Sequence, residues 1–130
     1  MKYLIDTDIT SYFLRGKYDL LTKFEQKGVN HIRLSIVSVA EIKVLAYKHP
    51  QSVLTLSRIE KLAEQLGVVQ VDVKTWDLFS RLKAEILQKG SPRGDFDILN
   101  AALARQHNLI VVTNNARHYQ DLIETENWVA

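Results

Sequence analysis

The sequence predicts an α/β protein of three layers, helices on both faces of a central parallel sheet of four to five strands. Three observations predict it. Short strand-like runs alternate with longer stretches of helical periodicity from one end of the chain to the other. The first run, Tyr3-Leu4-Ile5, is apolar without interruption, as strands buried on both faces are. An acid, Asp6, follows that run directly, where a parallel strand would end and where open α/β sheets bind their ligands.

The elements follow in order. Ile9 to Arg15 predicts a short helix carrying Tyr12, Phe13 and Leu14, ended by Gly16. Tyr18 to Lys27 predicts a second helix, with apolar residues at 18, 20, 21 and 24. Gly28 and Asn30 mark a turn. Ile32 to Val37 reads as a strand with Ile32, Leu34 and Ile36 on one side. Ser38 and Glu41 then have the spacing of a capping box, and Ile42, Leu45 and Ala46 continue at helical intervals. Gln51 to Leu66 predicts a helix closed by Gly67. Val68 to Val71 is a β-branched strand. Lys74 to Gln88 predicts a helix with Trp76, Phe79, Leu82, Ile86 and Leu87 on its apolar face, Trp76 and Phe79 being core. Residues 89–94 form a loop with two Gly and one Pro. Asp95 to His107 predicts an Ala- and Leu-rich helix, and Leu109 to Thr113 is the clearest strand. Asn114-Asn115 ends it. A helical turn is expected within 116–123, and Trp128-Val129 as an edge strand. No repeat or linker divides the chain, so residues 1–130 read as one domain.

Composition excludes several classes. The 130 residues are 46% hydrophobic and 25% charged, the balance of a globular protein able to bury a core. There is no Cys, hence no disulfide framework and no thiolate metal site; a reducing compartment such as the cytoplasm is expected. No apolar run reaches membrane-spanning length, and the first strand leaves no room for a signal peptide. A net charge of +2 is too small to argue nucleic-acid binding by itself.

The acids carry the chemistry. Asp6 at a strand end, Glu41 in the first turn of a helix after a strand, Asp95 and Asp97 in the first turn of the helix before the strongest strand, and Asn115 after that strand all face one edge of a parallel sheet. Carboxylates gathered there repel one another unless a cation is bound, and an all-oxygen set suits Mg²⁺ or Mn²⁺ better than Zn²⁺. The chemistry implied is metal-assisted hydrolysis of a phosphate ester. Each acid also has a structural reading. Asp6 and Asp8 suit helix caps, Asp8 more so than a ligand. Glu41 could serve only the capping box, and Asp95 or Asp97 only the helix dipole. The four His residues (31, 49, 107 and 118) show no ligand spacing and read as surface or loop.

One competing motif is present. Asp6-Thr7-Asp8-Ile9-Thr10 fits D-x-D-x-T, the aspartyl-phosphate signature of haloacid dehalogenase-like phosphatases, with Asp6 as nucleophile. The later motifs of that family do not follow in the required order: Thr113 lies after the acidic Gly94–Asp97 segment, which lacks a preceding apolar strand.

Five segments in order resemble a different family. Leu4-Ile5-Asp6-Thr7-Asp8, Ser35 to Ile42, Asp97-Ile98-Leu99-Asn100-Ala101-Ala102, Val112 to Tyr119 and Glu126-Asn127-Trp128 together are similar to the PIN domains of small VapC-type toxin ribonucleases, over nearly the whole chain. The resemblance implies a PIN-like fold and a Mg²⁺- or Mn²⁺-dependent endoribonuclease that acts through metal-activated water without a covalent intermediate. It implies Asp6, Glu41 and Asp97 as metal-holding catalytic acids, with Thr7, Asp95, Thr113 and Asn115 in support. It further implies an RNA substrate, a VapB-like antitoxin that blocks the site, and a homodimer, for which Tyr12, Phe13, Tyr18, Leu20 and Leu21 are interface or core candidates. Lys43, Arg93 and Arg117 are candidates for the RNA backbone. Asn115 stands where some members carry a fourth acid, which weakens a second metal site, and Asn100 puts a polar group where the family usually has Ile. The other readings left open are the phosphatase and a non-catalytic binding module that keeps the fold.

Overall fold

The computed structural model describes residues 1–129. Its centre is a five-stranded, all-parallel sheet of β1 (Tyr3–Ile5), β2 (Ile32–Ser35), β3 (Val68–Val69), β4 (Ile110–Val112) and β5 (Thr125–Glu126), in the order β3-β2-β1-β4-β5. The chain winds outward from β1 to β2 and β3, then crosses back to lay β4 on the other side of β1. Strand order therefore reverses at β1, and the crevice between the ends of β1 and β4 is where such a sheet receives a ligand.

Alternation along the strands divides the core. Tyr3 and Ile5 of β1, with Ile32, Leu34 and Val112, face helices α1 (Thr7–Leu14), α2 (Leu20–Lys27), α3 (Ile36–Lys48) and α4 (Leu56–Leu66). Leu4 and Val111 face the other way, onto α5 (Val73–Lys89) and α6 (Asp95–His107), where Ile98, Ala101, Ala102 and Leu103 are fully buried. The period of two sends successive side chains to opposite layers, so an unbroken apolar run fills both.

Several boundaries move, each for a stated local reason. Tyr18 and Asp19 take left-handed backbone conformations (φ 62° and 49°), so α2 starts at Leu20 rather than Tyr18. Strand β2 stops at Ser35 because its Oγ accepts a hydrogen bond from the Val37 N–H at 3.0 Å and starts α3 there. The expected Ser38–Glu41 capping box therefore does not form: Ser38 already lies inside the helix, buried. Helix α4 begins at Leu56, five residues later than its apolar spacing predicts, because Thr55 caps it by accepting from the Arg58 N–H. Asp72 and Thr75 form a reciprocal capping box that starts α5.

The edge strand is Thr125–Glu126, not Trp128-Val129. Trp128 instead turns inward, 6% exposed, edge-on to Tyr3 with ring centroids 5.0 Å apart and against Phe24 at 5.8 Å. An indole is too large an apolar surface to leave on a sheet edge when a pocket between two aromatic rings is open to it. Trp76, expected in the core, is 52% exposed on α5. Leu20 is buried and Tyr12 and Phe13 pack on the core, which leaves Tyr18 and Leu21 exposed among the interface candidates.

Candidate active site

Asp6 follows the last residue of β1 and is locked from several directions. Its backbone N–H donates to the Val112 carbonyl at 3.1 Å, tying the ends of β1 and β4 together. Its Oδ1 accepts from the Ile9 N–H at 3.1 Å, capping α1, and the buried Thr10 hydroxyl donates to its carbonyl at 2.7 Å. The cap and the site are thus the same residue. Those contacts also account for the D-x-D-x-T match, since Thr10 is spent on the helix backbone. Asp6 is only 7% exposed. Burial pushes its carboxyl up to about 7, with Asp8 and Asp97 adding repulsion and hydrogen bonds from Thr113 and the Ile9 N–H opposing it.

The other acids arrive from different elements at the same sheet edge. Glu41 lies on α3, one helix after β2, and its Oε1 accepts from the Thr7 hydroxyl at 2.6 Å. Asp97, in the first turn of α6, is raised by burial, while His118, Tyr119 and Arg93 hold it down. The Tyr119 hydroxyl donates to Asp97 Oδ1 at 3.3 Å, and His118 Nδ1 stands 3.3 Å from its Oδ2. Tyr119 is itself buried, and burial beside Asp6 and Asp97 raises its phenol. Asp8 Oδ2 accepts from Asn115 Nδ2 at 2.7 Å, and the Asn115 N–H donates to Thr113 Oγ1 at 2.9 Å.

The fold therefore brings Asp6 near Asp97 and Thr113, ties Asn115 to Thr113 and Asp8, and brings Glu41 to the same edge through Thr7. It does not bring in Asp95, whose carboxylate is 63% exposed and paired with Lys83 Nζ at 2.6 Å. Consecutive residues on a helix point about 100° apart, so with Asp97 turned to the sheet edge, Asp95 is carried toward α5. Sequence reasoning missed Asp8, His118 and Tyr119. Asp8, read as a cap, faces the cluster because Asp6 occupies the cap position. His118, read as surface, is brought to Asp97 by the 3₁₀ turn Ala116–Tyr119. The only signal for it was its place in the fourth family segment. Arg93 donates to the His118 and Gln120 carbonyls at 3.2 and 3.0 Å, so it supports that turn. Asn100, buried, accepts from the Ser35 hydroxyl at 2.6 Å, which explains a polar residue on that helix face: it fastens the α3 cap to α6.

The residues suit a hard divalent cation in kind. The acids Asp6, Asp8 and Asp97 offer oxygen ligands and repel one another, no soft ligand is present, and the cationic groups that oppose this repulsion, His118 and Arg93, act on Asp97. Among the described residues, no three carboxylate or imidazole groups close on one point as they stand. Glu41 is turned to Thr7 and Asp8 to Asn115. Mg²⁺ commonly takes one or two carboxylates with the rest of its shell from water and substrate, so Asp6 and Asp97 are sufficient in number.

Comparison with known proteins gives the family and the fold. The PIN domain family model matches residues 3–121. Ribonuclease VapC2 of Haemophilus influenzae is 33% identical over 99% of both chains. The tRNA(fMet)-specific endonuclease VapC of Shigella flexneri is 27% identical over 98% of both. The VapC-containing crystal structure of DNA-bound VapBC from Salmonella typhimurium superposes with a TM-score of 0.84 at 23% identity, over 98% of each chain, which speaks to the fold.

Proposed function

The chain belongs to the PIN-domain family, in its VapC ribonuclease branch, and from that premise we propose that it is the toxin of a type II toxin–antitoxin pair. Its activity is endonucleolytic hydrolysis of RNA. The carrying observation is Asp6, a buried carboxyl fixed by the α1 cap at the strand switch point and pushed up to about 7 beside two further acids.

Asp6 and Asp97 are the residues to hold Mg²⁺ or Mn²⁺, with Glu41 and Asp8 completing the set from their hydrogen-bonded positions. A cation there supplies polarisation of the phosphodiester and activation of the attacking water. The chain's own residues do the rest. Thr113 and the Ile9 N–H orient the Asp6 carboxylate, and Tyr119 and His118 orient that of Asp97. Thr7 holds one carboxyl oxygen of Glu41, which leaves the other free to accept a hydrogen bond from water or to serve the cation. Asn115 steadies Asp8 and brings no charge of its own. Partners of such outer contacts commonly change metal affinity or activity 10–100-fold when removed.

A VapB-like antitoxin that covers these acids, a homodimer and a cytoplasmic setting complete the reading. The VapBC neighbours of this fold support the first. No described helix is long and apolar enough to cross a membrane. The test is cleavage of a structured RNA with Mn²⁺ or Mg²⁺ and with EDTA, beside Asp6→Asn and Asp97→Asn. Metal-dependent cutting by wild type alone supports the proposal. Equal cutting by the variants would reduce the acids to structural caps. Asp6-dependent hydrolysis of a phosphate monoester without RNA cleavage would restore the phosphatase reading.

A further inference from the structure

We infer that Phe96 is a nucleobase-stacking residue, and that the apolar hollow it shares with Ala40, Glu41 and Val44 seats the base beside the scissile phosphate; this rests on the ribonuclease reading above.

The hollow is shallow, about 250 Å³ in volume. Phe96 and Val44 are 56% and 62% exposed in it, a ring and an aliphatic wall that the fold leaves uncovered. Phe96 stands between Asp95, tied to Lys83, and Asp97, which faces the acid cluster. Nothing in the core requires an aromatic there. Glu41 belongs to both places: one carboxyl oxygen accepts from Thr7 at the acid cluster, and the residue lines the hollow. The hollow is therefore the direct continuation of the acid site across the α3–α6 seam.

That continuity identifies the occupant. A strand whose phosphate reaches Asp6 and Asp97 must carry its neighbouring nucleoside over the surface next to them. A phosphate cannot enter, since the walls are apolar and the one charged lining group is an acid. The flat, uncharged part of a nucleotide is its base. Exposed aromatic side chains bind bases by stacking, and the interaction tolerates any base because each has a π-face. A volume of about 250 Å³ accommodates one nucleobase.

The experiment measures binding of a fluorescently labelled oligoadenylate decamer to the full chain in Ca²⁺, for wild type, Phe96→Ala, Phe96→Leu and Phe96→Trp, with Tm recorded for each. A decamer of the same length with abasic sugars is the control. Stacking of one base predicts that Phe96→Ala weakens oligoadenylate roughly 5- to 150-fold. Phe96→Leu, apolar but without a π-face, stays weak, Phe96→Trp recovers, and the abasic decamer binds all four alike. Equal affinity of Phe96→Ala and wild type overturns the inference, as does full recovery by Leu. So does a loss confined to binding of a VapB-like antitoxin, which would make the hollow a protein seat. Cleavage separates the two proposals: absence of metal-dependent cutting by wild type removes the nuclease reading whatever Phe96 does. Cutting by Phe96→Ala with unchanged KM removes the stacking subsite alone.

Discussion

Replacing Asp6 with Asn removes a titration that couples folding to pH. In the unfolded chain this carboxyl ionises near its ordinary 3.8; in the fold, burial moves the same event to about 7. Below about pH 4 both states hold the proton and the residue costs nothing. Between about 4 and 7 the unfolded state releases the proton and the native state keeps it, so stability falls as pH rises. Above 7 both are ionised and the cost stays constant. A displacement of about three pH units at 1.36 kcal/mol each gives about 4 kcal/mol as the full effect. Asn keeps an oxygen to accept from the Ile9 N–H and carries no charge, and it is among the good N-caps. The metal-free Asp6→Asn variant is therefore expected to gain stability over wild type progressively from pH 4 to pH 7, approaching about 4 kcal/mol, and to match it near pH 4. Urea unfolding in EDTA across pH 4–8.5, read by fluorescence of Trp76 and Trp128, measures the difference. Saturating Mg²⁺ at pH 8 should narrow it by stabilising wild type alone, since only the native ionised site binds the cation. A stability difference that does not change with pH would refute the burial argument. A variant less stable at every pH would show that the carboxylate is needed for the cap.

Thr7→Val keeps the shape of the side chain but deletes the hydroxyl that Glu41 accepts from; RNA cleavage is expected to fall about 10- to 100-fold while Tm moves little, and unchanged kinetics would remove Glu41 from the working set. Asp95→Asn breaks an exposed pair with Lys83, so stability should change by less than about 1 kcal/mol and cleavage not at all; a large loss of activity would return Asp95 to the site. Trp128→Ala should cost about 3–5 kcal/mol in denaturant unfolding, because the indole fills the space between Tyr3 and Phe24, and a cost below about 1 kcal/mol would place Trp128 at the surface in solution.

The sequence by itself determined the succession of strands and helices, and with it the approach of Asp97 to Asp6 at one sheet edge, with Glu41 reaching that edge through Thr7. Strand type and helix period are local, and in a parallel α/β sheet every strand end and every following helix start lies on one edge, so chain order alone placed those acids. Capping was legible only in part. Ser35, Thr55 and Asp72 compete with neighbouring residues for the first helical N–H groups, and which one wins depends on where the strand or loop before it is pinned. Tertiary structure decided the rest. Asp95, Phe96 and Asp97 fan about 100° apart, and burial of Ile98, Ala101 and Ala102 against the sheet sets which of them meets the acids. The contacts of Asp8 with Asn115, of Asp97 with His118 and Tyr119, and of Trp128 with Tyr3 join residues far apart in the chain. No local pattern encodes such a pair, because its geometry exists only after two separately specified elements have packed on the same sheet.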